Sequence, residues 1–323
     1  MNAAKRPDRV EAQLTKLSRL RKEPPGAITT ETLVAGLQSR NNLIVARAAT
    51  VAAELNQHDL EGELETAFQR FLVDPIKTDQ RCLAKQALAR AIVDMELPAT
   101  EVLLLGAHHV QMEPSFGRPV DSAVDLRATC AIGLVNCGHP DVVMELLPRL
   151  LDAEAQVRVA AARAIGACGD PAAVAVLRLK VLTGDDEPDV LIEALAALFE
   201  LAPRRTLDFV RSLLEGGACD PGAAILALGD SRLEAAFPLL QQQWQRANRS
   251  EERRIVLHAM VALRREPAID FVFGIVADGA MPAAREGATA LAALRLDPTL
   301  RQRMEQVVEG HPHGVELWQL FEE

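Results

Sequence analysis

Tyrosine is absent from this 323-residue chain, and nine Phe and two Trp bring its aromatic content to only 3%. So few rings exclude a core built on large aromatic anchors, and they leave little of the stacking surface that single-stranded nucleic acid needs. An excess of positive charge is missing too. The chain has 45 acidic against 35 basic residues and a net charge of −10, so it lacks the overall basic balance that favours a phosphate backbone, and no nucleic-acid partner is expected. No uncharged apolar run approaches about 18 residues, and the stretch from Met1 to Gly26 carries charges throughout, so neither a membrane span nor a signal peptide is expected. The cysteines, Cys82, Cys130, Cys137, Cys168 and Cys219, form no CxxC pair and read as buried thiols of a reducing cytoplasm. There is also no P-loop, no HExxH and no GxSxG.

What is present is apolar and repetitive. Ala, Leu and Val dominate an apolar fraction of 49%, which suits a core of many small helix-to-helix contacts. The segment from Leu126-Arg127 to His139-Pro140 aligns with that from Val157-Arg158 to Asp170-Pro171, the Arg standing twelve residues before the turn in both. Extending this register gives anchors at Arg47, Arg81, Arg127, Arg158, Leu191, Ala218, Arg254 and Arg285, spaced as two-helix repeats. Six residues before them stand Asn41, Pro75, Asp121, Asp152, Asp185, Ser212, Asn248 and Gly279, all of them helix-cap or turn formers. Small residues recur three places after the anchor, as in Thr50, Ala84, Cys130, Ala161, Ala194 and Ala288, and would let neighbouring helices approach closely. Cys137 and Cys168 share one register position and are expected as stacked core thiols. No segment alternates with a strand's period of two, so no β-sheet is expected.

The run Leu146-Leu147-Pro148-Arg149-Leu150-Leu151-Asp152, followed by Val157-Arg158-Val159-Ala160-Ala161-Ala162-Arg163-Ala164-Ile165-Gly166, resembles the HEAT-repeat superfamily. It is similar to the short HEAT-like units of phycobilisome lyase subunits and of bacterial HEAT-like proteins. The resemblance covers roughly residues 27 to 310 and fades near Ala218. It implies an all-α fold, a right-handed α-α superhelix of about eight helical hairpins, in which the Val-Arg helix lines a concave face that partners occupy.

Departures from the register are the informative places. Residues 1–26 read as a basic N-terminal arm or capping helix, with seven Lys or Arg against three Asp or Glu in Met1 to Glu23, and with Val10, Leu14 and Leu17 on one stripe. Residues 27–310 form the repeat array, and residues 311–323 a C-terminal cap in which Leu317, Trp318, Leu320 and Phe321 seal the last repeat. The short step at Ala218-Cys219-Asp220-Pro221-Gly222 is expected to break a helix's first turn. The 46-residue step from Arg81 to Arg127 holds an insertion that carries the candidate binding residues His108, His109, Gln111, Glu113, Phe116, Arg118, Asp121 and Asp125. Two His with Glu and Asp suggest metal ligands and Arg118 suggests an anion grip, yet the spacing matches no metal motif and Asp121 also reads as a helix cap.

These features predict a non-enzymatic scaffold in the cytoplasm, without cofactor or metal, that offers an extended helical surface to a protein or peptide. The alternative is a metal-dependent enzyme or lyase-type accessory subunit using residues 108–125. Di-iron hydroxylases of the superfamily carry paired His-Glu motifs, and no His-Glu dipeptide occurs in this chain. A shared scaffold does not by itself transfer a reaction.

Overall fold

Two of the helices start on a capping side chain. Asn41 sits in extended backbone (φ −90°, ψ 119°), and its side chain accepts the N–H groups of Leu43 and Ile44 at 3.0 and 3.2 Å, starting the helix Asn42–Glu54. Asp297 does the same for Thr299 and Leu300, with Pro298 at the first helical position. At the other end, Asn56 takes a left-handed φ of 50° just beyond Glu54 and stops the first of these helices.

The structure is a computed structural model describing residues 9–22, 26–216 and 221–323. It divides into two compact units, Met1–Asp170 and Pro171–Glu323. The first contains α1 (Arg9–Arg19), α2 (Ala27–Leu37), α3 (Asn42–Glu54), α4 (Glu61–Phe71), α5 (Pro75–Thr78), α6 (Leu83–Asp94), α7 (Thr100–His108), α8 (Val124–Asn136), α9 (Val142–Leu146) and α10 (Ala155–Ala167). The second contains α11 (Ala172–Thr183), α12 (Pro188–Leu201), α13 (Pro203–Gly216), α14 (Pro221–Asp230), α15 (Phe237–Arg246), α16 (Ser250–Leu263), α17 (Glu266–Asp278), α18 (Met281–Leu291), α19 (Pro298–Glu309) and α20 (Gly314–Glu322).

Each unit is a stack of antiparallel helical hairpins. In the first, α2/α3, α4/α6, α7/α8 and α9/α10 pair, the second helices stacking in the order α3, α6, α8, α10, with α1 against α3. In the second, α11/α12, α13/α14, α15/α16 and α17/α18 pair, and the stack α12, α14, α16, α18 continues onto α20, which pairs with α19. The all-α helical-repeat fold is therefore present, with four hairpins per unit and a final pair. Leu317 and Phe321 are buried where α20 meets α18, and Leu17 of α1 is buried.

Small residues set the close approaches. A Cβ on Gly133 of α8 would lie 2.7 Å from both Leu103 of α7 and Val93 of α6, and one on Gly229 of α14 would lie 2.5 Å from the Ala259 carbonyl oxygen of α16. Cys130, Ala161, Ala194 and Ala288 are buried as the register requires.

Four expectations need correction. A short antiparallel ladder exists, β1 (Met112–Glu113) with β2 (Val120–Asp121), paired Met112 to Asp121 and Glu113 to Val120. Strands of two residues are too brief to show alternation, so the sequence could not display them. The expected anchor Arg81 lies outside any α-helix with φ 61°, and Lys85, four residues later, holds the buried place. Thr50 is exposed while Ala48, Ala49 and Ala52 are buried, so the first hairpin is also offset from the assumed register. Cys137 and Cys168 are half-buried rather than core residues, each thiol donating to the carbonyl three residues back, Leu134 and Ile165. The break expected at Ala218 to Gly222 falls partly on residues 217–220, outside the described residues; beyond them Pro221 begins α14, a position that tolerates a missing N–H.

Candidate functional site

The insertion between α7 and α8 stands on a framework of buried charge. Asp79 and Lys85 are both fully buried and pair at 2.9 Å. Both oxygens of Asp79 are occupied: Oδ1 accepts the Ala84 N–H at 2.7 Å and Asn42 Nδ2 at 3.3 Å, and Oδ2 accepts the Lys85 N–H at 3.0 Å. Lys85 Nζ also donates to the Phe71 carbonyl at 3.3 Å. The same spacing of six recurs with Asp121 and Arg127. Arg127, 1% exposed, donates to Asp121 Oδ2 at 2.7 Å, to Asp152 Oδ1 at 3.0 Å and to the His109 carbonyl at 2.9 Å. Arg149 closes the chain of charges by pairing with Asp152 at 3.2 Å. One guanidinium thereby ties α8, the loop before α10 and the exit of α7 together. Burial alone would lower the Arg127 pKa, but its bonds to Asp152 and Asp121 outweigh that and raise it.

Gln111 carries this order into the hairpin. It is 1% exposed, and its Nε2 donates to the Asp79 carbonyl at 2.8 Å and to Glu113 Oε1 at 2.6 Å. Its N–H donates to Asp121 Oδ1 at 3.1 Å, its carbonyl accepts the Ser122 N–H at 2.9 Å, and its Oε1 meets His109 Nε2 at 3.3 Å. Glu113 Oε1 further accepts the Arg81 N–H at 2.6 Å and the Ser122 hydroxyl at 2.7 Å. Burial pushes the Glu113 carboxyl up, yet the bonds from Ser122, Gln111 and Arg81 prevail and hold it below its ordinary value. Asp121 is lowered likewise, with burial opposed by the N–H groups of Ala123 and Gln111 and by Arg127. His109 is lowered because burial disfavours its charged form.

Four of the insertion's eight candidate residues come together and four do not. His109, Gln111, Glu113 and Asp121 come together as the hairpin's base. His108 points elsewhere and pairs with Glu145 of α9 at 3.1 Å. Phe116 and Arg118 are exposed at the hairpin's tip, where the Ser115 hydroxyl donates to the Arg118 carbonyl at 2.8 Å and Gly117 takes the φ of 140° that the turn needs. Asp125, in the first turn of α8, accepts Gln156 Nε2 of α10 at 2.6 Å. Among the described residues, no group of three or more His, Cys, Asp or Glu side chains is placed to hold a metal ion. The metal-ligand option for these residues therefore has no converging ligand set.

Beside the hairpin lies an open cavity of about 1150 Å³, walled by Phe116, Val120 and Val124 and rimmed by Glu113, Asp125, Glu154 and Arg81. Asp125 and Gln156 also border a second groove, of about 540 Å³, that runs over α6, α8 and α10 past Gln86 and Thr129. Sequence reasoning missed Arg81, Ser122, Glu154, Gln156 and Gln86. The one available signal was the pair Asp79 and Lys85, which repeats the spacing of Asp121 and Arg127.

Residues 120–178 match the family model of HEAT repeats. The matched segment begins at β2 and contains Asp121, Arg127, Asp152 and Arg158, while Asp79 and Lys85 lie outside it. No curated protein matches the chain. No helix among the described residues is long and apolar enough to cross a membrane.

Proposed function

We propose that this chain is a non-enzymatic protein-interaction scaffold whose partner-facing feature in the first unit is the hairpin between α7 and α8. One observation carries the reading. Phe116 is fully exposed at the tip of a hairpin whose base, Gln111, is buried and hydrogen-bonded to Asp79, Glu113, Asp121 and Ser122. Val110, Met112 and Val120 are exposed on the same hairpin. Holding an aromatic side chain in water costs free energy that nothing inside the fold recovers, and a pre-ordered base lowers the entropy lost when a partner covers it.

His109, Gln111 and Asp121 are supporting residues in this reading, Glu113 braces the hairpin through Oε1 and borders the cavity, and Phe116, Arg118 and Asp125 face the partner. The net charge of −10 supports a protein rather than a nucleic acid as that partner, and the buried free thiols Cys82 and Cys130 support a reducing, cytoplasmic setting. The test is proximity labelling in the native organism with wild type and Phe116→Ala. A specific labelled protein is expected with the wild type and not with the variant, at unchanged folding stability. Equal labelling by both would remove the hairpin from the interaction.

A further inference from the structure

The cavity beside the hairpin and the groove that continues from it are furnished unevenly in hydrogen-bonding groups. Their spare groups are nearly all acceptors. Glu113 places all three of its donors on Oε1, leaving Oε2 without a partner, and no cation neutralises the carboxylate among the described residues. Asp125 uses Oδ1 for Gln156 and has Oδ2 free. Glu154 lines the same cavity, and among the described residues no bond or ion pair engages its carboxylate. Farther along, Gln86 gives its Nε2 to Thr129 at 3.1 Å, while its Oε1 is buried with no donor at all.

Among the residues lining the hairpin cavity, Arg81 is the one cation, against Glu113, Asp125, Glu154 and an Asp121 already matched by Arg127. The walls between the acids are apolar, from Phe116, Val120 and Val124. Arg90 in the groove is held by Asp94 on its own helix at 3.0 Å.

We propose that this surface binds an extended peptide segment of a partner protein in which Lys or Arg residues alternate with aliphatic ones. The aliphatic side chains pack on Phe116 and Val120, and a cationic side chain meets Glu113 Oε2 with Asp125 and Glu154 at the rim. Polypeptide fits better than a small amine because the cavity and the groove form one path that shares Asp125 and Gln156. This inference rests on the scaffold reading and adds the chemistry of the partner.

The experiment screens the full chain against an immobilised array of heptapeptides covering all combinations of acidic, basic, aliphatic and polar positions. Binding of the strongest peptides is then measured by fluorescence anisotropy. Enrichment of basic-aliphatic heptapeptides is expected, with affinity falling as salt rises. The variant E113Q/D125N/E154Q should bind them about tenfold more weakly, and D125N/E154Q, which leaves the hairpin's internal bonds intact, several-fold more weakly. Enrichment of acidic or neutral peptides, no binding on the array, or unchanged affinity of D125N/E154Q would overturn the proposal. Loss of proximity labelling in Phe116→Ala together with any of those results leaves the scaffold standing and removes only its cationic ligand.

Discussion

At the scale of single residues, Arg127 shows how this chain handles buried charge. Its guanidinium satisfies Asp121 and Asp152 at once, so removing it leaves the nearly buried Asp121 without its cation and takes one from Asp152, which keeps Arg149. Arg127→Met is expected to destabilise the protein by about 3–5 kcal/mol, read as a drop in the urea midpoint, because unpaired buried charge costs more than the pair contributes. Phe116→Ala should leave that midpoint unchanged within about 0.5 kcal/mol, since the ring is fully exposed. His109 makes the fold sensitive to acid. Its folded pKa lies below the ordinary 6.5, so the unfolded chain takes up a proton first as pH falls. Stability is therefore complete above the unfolded value and declines as pH drops from there toward the depressed folded one. Urea titrations at pH 7.5 and 5.5 should show a larger loss for wild type than for His109→Gln, and equal losses would refute the assignment.

At the scale of elements, the helices were the legible part. Asn41 announces a helix start, and the small residues Cys130 and Ala161 announce close packing; Asp297, whose Asp-Pro step reads as a helix stop, instead caps the start of α19. Glycine positions bear on this directly. Gly229→Ala would press a methyl group against the Ala259 carbonyl of α16, where backbone cannot yield, and a loss of about 1–3 kcal/mol in denaturant unfolding is expected. Gly274→Ala on α17, with open space beside it, should cost nothing and serves as the control. The hairpin was only half legible. An insertion could be located from the stretched repeat, but β1 and β2 are ordered by Gln111 reaching back to the Asp79 carbonyl, thirty-two residues earlier, and no local pattern records that bond. The misplaced anchor at Arg81 has the same origin, because an Arg outside its helix and a Lys inside it differ only in what surrounds them.

For the whole molecule, the two compact units, Met1–Asp170 and Pro171–Glu323, each bury their own row of second helices, α3 to α10 in one and α12 to α20 in the other. Contacts in such stacks run mainly between neighbouring hairpins, so the fragment 1–170 should keep its helicity and unfold cooperatively when expressed alone, as circular dichroism would show. A fragment lacking helical signal would mean that the first core is incomplete. The sequence by itself determined the all-α class, the hairpin repeat and the acidic surface, because caps, helical periodicity and composition act over a few residues. Only the tertiary structure decided that Lys85 rather than Arg81 is buried, that Glu113 turns one bare oxygen toward a cavity, and that Gln111 is a brace. Those outcomes depend on which groups from distant hairpins shield one another from water, and desolvation is a property of the packed neighbourhood.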